Sequence, residues 1–214
     1  MSGHDDFAFD ALPGLPERPP EGELILWQGR PKTWALARDA FRIRWLAVYF
    51  ALIVLWRAGA AFADGGVLLA LARGLPYLAL GLLGLAVVYA LAWAQARATV
   101  YTLTTARVAL RIGAALPVTF NLPFRQIGAA NLDLHRDGTG TIAFDTLGKT
   151  RIAALVAWPH VRPGFWSKTQ PALRSIPDAA RVARMFADAA EAKLTQPTII
   201  RAATGPTGAP VAAE

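Results

Sequence analysis

Gly74 to Ala94 reads GLPYLALGLLGLAVVYALAWA, twenty-one residues without a charge. A helix rising about 1.5 Å per residue carries this stretch across a hydrocarbon core of roughly 30 Å. Its seven leucines, each worth about −0.5 kcal/mol on the insertion scale, favour the bilayer over water. Tyr77 and Trp93 fall near its two ends, where amphipathic rings prefer the interface. Pro76 falls in the first turn, where a missing N–H costs least. A helix buried in a soluble core is the other reading, and the length of the run argues against it.

Working outward, Trp45 to Trp56 is also charge-free but only twelve residues long. It crosses only if the helix continues through Arg57 to Phe62, with Arg57 reaching the outer headgroups. Arg30, Lys32, Arg38, Arg42 and Arg44 precede this segment, and Arg97, Arg107 and Arg111 follow the later one. Arg57 and Arg73 alone lie between. The positive-inside rule then places both flanks in the cytoplasm and requires two crossings, about 45–63 and 74–94. A re-entrant first segment is the alternative. Neither span carries His, Asp, Glu, Lys or a second interior Arg, which disfavours a proton relay, an ion path or a histidine ligand for a buried pigment. Ala86, Ala90 and Ala94 line one helix face, as do Ala47 and Ala51 in the first span. Small residues at this spacing permit close helix packing, either within the hairpin or against a partner.

Ahead of the first span, Thr33 to Arg44 reads TWALARDAFRIR. Trp34, Phe41 and Trp45 with Arg38, Arg42 and Arg44 suit a helix at the membrane interface, held by aromatic insertion and anionic headgroups. The plain alternative is a cytoplasmic extension of the span itself. Met1–Gly22 carries Asp5, Asp6, Asp10, Glu17 and Glu21 and lacks the basic start and apolar run of a signal peptide. It reads, within residues 1–32, as an acidic, extended cytoplasmic segment.

After Ala94 the period shortens. Ala98–Thr104, Arg107–Ile112, Val118–Leu122, Ile127–His135, Thr141–Asp145 and Arg151–Trp158 are strand candidates, punctuated by Gly113, Pro117 and an Asp137-Gly138 turn. Six short runs predict a small antiparallel β domain over residues 97–194. Pro159 to Ile176 reads as irregular. Pro177 opens a helix to about Leu194 whose apolar stripe is Val182, Met185, Phe186 and Ala189. Residues 195–214, rich in Thr, Pro, Gly and Ala, predict a disordered tail.

Hydrophobic residues make up 54% of the 214 positions and charged ones 17%, a balance that suits a membrane protein. The chain has no cysteine, which excludes disulfides, thiolate nucleophiles and thiolate metal sites. The net charge of +7 is concentrated beside the spans, so a bilayer accounts for it without nucleic acid. The histidines, His4, His135 and His160, form no motif, and Asp133, Asp137 and Asp145 are not paired as acid and base. The reading is therefore a non-enzyme with no catalytic residue, cofactor or metal. The strongest interaction candidate is the cluster Trp158, His160, Arg162, Phe165, Trp166 and Lys168, whose aromatics and arginine are typical of binding hot spots. The alternative is that its tryptophans fold under the C-terminal helix as core.

Glu23-Leu-Ile-Leu-Trp27-Gln-Gly29-Arg-Pro31 before the apolar segments, and Tyr101-Thr-Leu-Thr104-Thr-Ala-Arg107-Val after them, resemble membrane-anchored bacterial PH-domain proteins. The resemblance implies an α+β membrane protein: a two-helix transmembrane hairpin, then a small PH-like antiparallel β domain closed by a C-terminal helix. More narrowly, MSGHDDFAFD at the start, RIGAALPVTFNLPF at Arg111–Phe124, AWPHVRP at Ala157–Pro163 and PALRSIPDAARVA at Pro171–Ala183 are similar to the PuhB family of photosynthetic complex assembly proteins. That resemblance runs to about Lys193. It implies a non-catalytic assembly factor in the inner, photosynthetic membrane of a purple phototroph, multi-pass with both termini cytoplasmic. Its expected partners are reaction-centre and core light-harvesting membrane subunits and membrane lipids, with a homo-oligomer also open. The alternative function is a generic anchored PH-like module that binds lipid headgroups or an envelope protein.

Overall fold

The computed structural model describes residues 14–15, 17–114, 117–147, 153–164 and 169–195. In chain order the described elements are β1 (Ile25–Gly29), α1 (Thr33–Asp39), α2 (Ile43–Arg97), β2 (Val100–Thr104), β3 (Arg107–Ile112), β4 (Val118–Pro123), β5 (Ile127–Leu134), β6 (Gly140–Thr146), α3 (Ala154–Ala157), β7 (Ala172–Ile176) and α4 (Ala179–Leu194). A 3₁₀ turn at Phe124–Gln126 joins β4 to β5. The strands make two antiparallel sheets, ordered β1-β2-β3-β4 and β5-β6-β7.

β1 precedes the apolar segment and β2 follows it, yet they are hydrogen-bonded neighbours, with Gln28 opposite Thr102 and Gly29 opposite Tyr101. The β domain therefore begins before the apolar helix α2, and the division at residues 32 and 97 expected from sequence is corrected. The signal was hidden because β1 is a short edge strand whose exposed Ile25 and Leu26, following the exposed Leu24, break the alternation a strand needs to be read. The paired strands also require residues 30–100 to leave and re-enter the same sheet edge. A straight helix of 55 residues would end about 80 Å from its start.

The helix meets this requirement at Gly65–Gly66, whose backbone angles are not helical; Gly66 has φ 68°, a conformation open to glycine and costly for most other residues. The arms on either side then lie together in antiparallel order. A Cβ placed on Gly74 would meet that of Ala58 at 3.2 Å, and one on Gly81 would meet Cβ of Phe50 at 2.9 Å. Apart from the two glycines, the expected inter-span loop 64–73 is helical, because its leucines and alanines favour helix and only Gly65–Gly66 interrupt them. Ala47 and Ala51 line the groove between the arms. Ala86 and Ala90 face outward and Ala94 is half-buried, so the second small-residue face does not make the contact between the arms. The arms meet through Gly74, Gly81 and Gly84 instead. By length and composition, α2 is apolar enough to cross a membrane.

The β domain core fills from both sheets and α4. Tyr101, Leu103, Val108 and Leu110 come from β2 and β3, Ile142 and Phe144 from β6, Leu173 and Ile176 from β7, and Val182 and Phe186 from α4. Phe186 sets its ring edge-on to Phe124 at 5.4 Å and tilted over Phe144 at 5.2 Å. The stripe expected on α4 faces this core, with Arg181, Arg184 and Asp188 exposed. Five strand candidates match observed strands. The sixth does not: Ala154–Ala157 is a helical turn, in a stretch where Ala153, Ala154 and Ala157 favour helix, and Arg151 lies outside the described residues. Pro159–Ile176, expected to be irregular, contains β7, whose pairing with β6 supplies order that the Arg174-Ser175 interruption masks in sequence.

The motif from Tyr101 to Arg107 owes its residues to structure. Thr104 Oγ1 accepts the amide protons of Ala106 and Arg107 and donates to the Arg107 carbonyl, closing the β2–β3 turn. Arg107 Nε donates to Glu23 Oε1 at 2.9 Å, tying the start of β1 to β3.

Candidate functional site

The chain bends between α1 and α2 at Arg42, which holds a left-handed φ of 55°. This bend, β5, β6, β7 and the segment around Arg162 enclose a cleft of about 610 Å³. Arg38, Arg42, Arg44, Arg162 and Arg174 line it, against the carboxylates Asp39 and Asp133. Trp45, in the first turn of α2, stands in the same lining and is 70% exposed.

Asp39 organises one wall. Its carboxylate accepts from Arg38 Nε at 2.7 Å and from Ser175 Oγ at 3.2 Å, and lies 3.0 Å from His135 Nε2. Arg38 Nη1 also donates to Asp137 at 2.8 Å. Hydrogen bonds first to Asp39 and then to Asp137 push the Arg38 pKa up. Asp137, in the β5–β6 turn, is held well below the usual carboxylate range by Thr139 and then by Arg38. Lys32 N–H donates to the Ser175 carbonyl at 2.9 Å, so α1 is latched to β7 at one end and to the β5–β6 turn at the other.

Arg174 closes the back of the cleft and is 5% exposed. Nη1 donates to the carbonyls of Pro159 and Val161, and Nη2 to that of Asp39 at 2.7 Å. All three partners are neutral, and Nε is buried with no partner among the described residues. Burial lowers the Arg174 pKa, because removing an ion from water disfavours its charged form, and the nearby Asp39 charge offsets this only in part.

Behind Arg174 a buried relay follows from hydroxyl bookkeeping. Thr99 Oγ1 donates to the Gln95 carbonyl at 2.7 Å, so it accepts from His160 Nε2 at 3.1 Å. Nδ1 is then an acceptor for the Tyr101 hydroxyl at 2.6 Å, whose oxygen accepts the Arg174 N–H at 3.2 Å. Every group is satisfied only with a neutral imidazole. Burial, then the Arg174 charge, push the His160 pKa down to about 3; burial pushes that of Tyr101 up.

Of the residues singled out in the sequence, Arg42, Arg44, Trp45 and Arg162 meet in the cleft. His160 is corrected: at 1% exposure it is core and offers nothing to a partner. Arg38 is corrected as a lipid-facing cation, since both ends of its guanidinium are engaged by Asp39 and Asp137. Trp158 is 39% exposed and meets Phe41 edge-on at 5.0 Å, which leaves one face accessible. Trp34 is exposed on the outer side of α1. Phe165, Trp166 and Lys168 lie outside the described residues. The reading from sequence missed Asp39, Arg174, Tyr101 and His135. Asp39 did carry a signal, as the one acid in the basic stretch 33–44. Among the described residues no cluster of three His, Cys, Asp or Glu side chains could hold a metal.

Residues 41–190 match the bacterial PH domain family. The chain is 47% identical over 207 residues to a Rhodobacter capsulatus protein described as an uncharacterized 23.7 kDa protein in the puhA 5′ region, covering 94% of this chain and 95% of that one. No solved structure matches at a significant level.

Proposed function

The chain belongs to the bacterial PH domain family, and on that premise we propose that it is a membrane-anchored, non-catalytic assembly factor for the photosynthetic reaction centre and its core light-harvesting complex. The observation that carries this reading is the relative, which is similar along almost the whole chain and lies beside puhA in Rhodobacter capsulatus. That context agrees with the PuhB resemblance of the sequence. The geometry suits the role: an apolar anchor, a rigidly latched β domain, and a buried histidine bonded as structure instead of being poised for chemistry.

The anchor crosses twice in this proposal. Pairing of β1 with β2 puts both ends of residues 30–100 at one sheet edge, so the number of crossings is even. The arm from Ile43 to Asp64 is long enough for one crossing, about 33 Å, and the arm from Val67 to Arg97 for another. Arg57 stacks over the Tyr77 ring at 5.3 Å, giving its charge a partner between the arms. With the arginine-rich flanks inward, the β domain and both termini face the cytoplasm, in the inner membrane. Nascent reaction-centre and light-harvesting subunits then meet the outward Ala86–Ala90 face of the anchor, and the segment from Trp158 to Trp166 contacts their cytoplasmic parts.

The test is the near-infrared spectrum of membranes from a strain lacking this protein. Loss of reaction-centre and core-antenna absorbance, restored by complementation, is expected; an unchanged spectrum under phototrophic growth refutes the assembly role. A second reading, a general headgroup-binding module, is favoured by the arginine cleft and would leave that spectrum unchanged.

A further inference from the structure

We propose that the aspartate-rich stretch Asp5-Asp6-Phe7-Ala8-Phe9-Asp10 of this same chain docks in the cleft at the α1–α2 bend and covers it from within. The contact would form whether or not the chain serves in assembly, since it needs only the β domain and the bend. The lining of the cleft is unbalanced in charge. Five arginines face two carboxylates, Asp39 and Asp133, and Asp39 is already shared among Arg38, Ser175 and His135. Arg42 and Arg44 are exposed and have no acidic partner among the described residues. Arg174 is buried, its described side-chain hydrogen bonds all go to carbonyls, and its Nε has none. Cations gathered in one concave site favour an anion entering it, and carboxylates match guanidinium groups in forked hydrogen bonds.

Composition selects the occupant. Of the longer stretches outside the described residues, residues 1–13 hold three aspartates and no Lys or Arg. Residues 148–152 and 165–168 are basic, and residues 196–214 carry one Arg and one Glu. The three aspartates equal the excess of arginines over carboxylates in the lining. Phe7 and Phe9 stand between the acids, and the cleft offers rings for them: Trp45 in its lining is 70% exposed, and Trp158 meets Phe41 beside the bend with one face open.

Reach permits it. Gly14 packs against the Val100 side chain, and Leu15 beside it is buried. Tyr101, next after Val100, accepts the Arg174 N–H on its hydroxyl, so Gly14 lies within roughly 20 Å of the Arg174 backbone. An extended chain carries Asp10 roughly 13 Å from Gly14 and Asp5 roughly 30 Å. The cleft falls inside that range. Docking would tie the segment ahead of β1 to the bend, so that the cleft is filled in the resting chain and a partner reaches its arginines only by displacing the aspartates.

The chain has no cysteine, so introduced pairs report the contact. In the full-length protein, Ala8→Cys with Asn131→Cys sets one thiol in the segment and one on the cleft wall. Ala8→Cys with Arg184→Cys sets the second thiol on the exposed face of α4 instead. In detergent micelles under limiting oxidant, the cleft pair should form its intramolecular disulfide on the order of tenfold faster, the bias that about three partly exposed ion pairs supply together. Asp5→Asn, Asp6→Asn and Asp10→Asn combined should remove that excess, as should Arg42→Gln with Arg44→Gln, or a rise in ionic strength. The aspartate changes touch no described residue, so a slower rate in that variant is not a folding defect. Equal rates for the two pairs, or a cleft rate that the Asn substitutions leave unchanged, overturn the proposal. A disulfide between two chains, seen as a doubled mass under non-reducing conditions, overturns the choice of occupant and gives the cleft to the segment of a second copy.

Discussion

Acidification should destabilise this protein through His160 well above the pH at which its carboxylates protonate. The ring is buried, donates Nε2–H to Thr99 and accepts the Tyr101 hydroxyl. A proton on Nδ1 would face the hydroxyl hydrogen of Tyr101, whose oxygen already takes the Arg174 amide, and would add a charge beside a guanidinium that burial has already disfavoured. The folded pKa is therefore near 3 against an ordinary value of 6.5. Between those values the unfolded chain binds the extra proton, so stability falls as pH falls; above 6.5 the effect is absent. The slope is about 1.4 kcal/mol per pH unit, or roughly 2 kcal/mol between pH 6.5 and 5. Urea unfolding of the full-length protein in micelles, followed by tryptophan fluorescence, reads this slope. His160→Gln, which can still donate to Thr99 and accept from Tyr101, cancels contributions from all other groups by subtraction. NMR of the labelled imidazole reads the pKa directly. A midpoint near 6.5, or equal slopes in the wild type and variant, refutes the reasoning.

Three further outcomes follow from the packing. Phe186→Ala removes the ring that α4 sets against Phe124 and Phe144 and should cost about 3–5 kcal/mol in the same urea assay; a loss below 1 kcal/mol would mean that α4 is not part of the core. Gly81→Leu places a side chain where Cβ alone would come within 2.9 Å of Phe50, at a cost of about 1–3 kcal/mol. Cysteines at Val54 and Leu78, which line one groove, should cross-link efficiently without that change and poorly with it; equal yields would mean that the arms do not pack as described. Asp39→Ala leaves Ser175 and Arg38 without their shared acceptor and should lose about 1–3 kcal/mol, whereas Asp133→Ala, exposed in the same cleft, should be nearly neutral.

The sequence disclosed elements whose period is strong and hid those that depend on partners. Gly74–Ala94 and the α4 stripe are legible because a single helix carries the whole pattern. Strands β2 to β6 are legible as short strand-forming runs punctuated by turn signals such as Gly113, Pro117 and Asp137-Gly138. β1 and β7 are not: one is an edge strand, and the other interrupts its apolar run with Arg174 and Ser175, which face a helix more than 130 residues earlier. The site divides in the same way. Arg42, Arg44 and Trp45 stand out by composition alone, and the structure brings them into one cleft. Arg174 and His160 have roles set by long-range contacts, and a histidine in an aromatic, proline-rich segment looks like a surface hot spot until Tyr101 and Thr99 are placed on either side of it.

The insertion of α2 between two paired strands has a mechanical consequence. A domain appended to a membrane helix by one connection can swing about it. Here two connections leave the same sheet edge, one through α1 and one directly from Arg97 into β2, and α1 is latched to β7 and to the β5–β6 turn by Lys32, Asp39 and Arg38. Rotation of the β domain relative to the anchor would break the Arg174–Asp39 and Arg38–Asp137 contacts together. The arginine cleft lies at this junction, lined both by the α1–α2 bend and by the second sheet. If this reasoning holds, Arg38→Ala combined with Asp137→Ala should leave the anchor in the membrane and the core intact, yet increase hydrogen exchange in α1 and the β5–β6 turn. Unchanged exchange at both places would mean that the remaining connections alone hold the domain to its anchor.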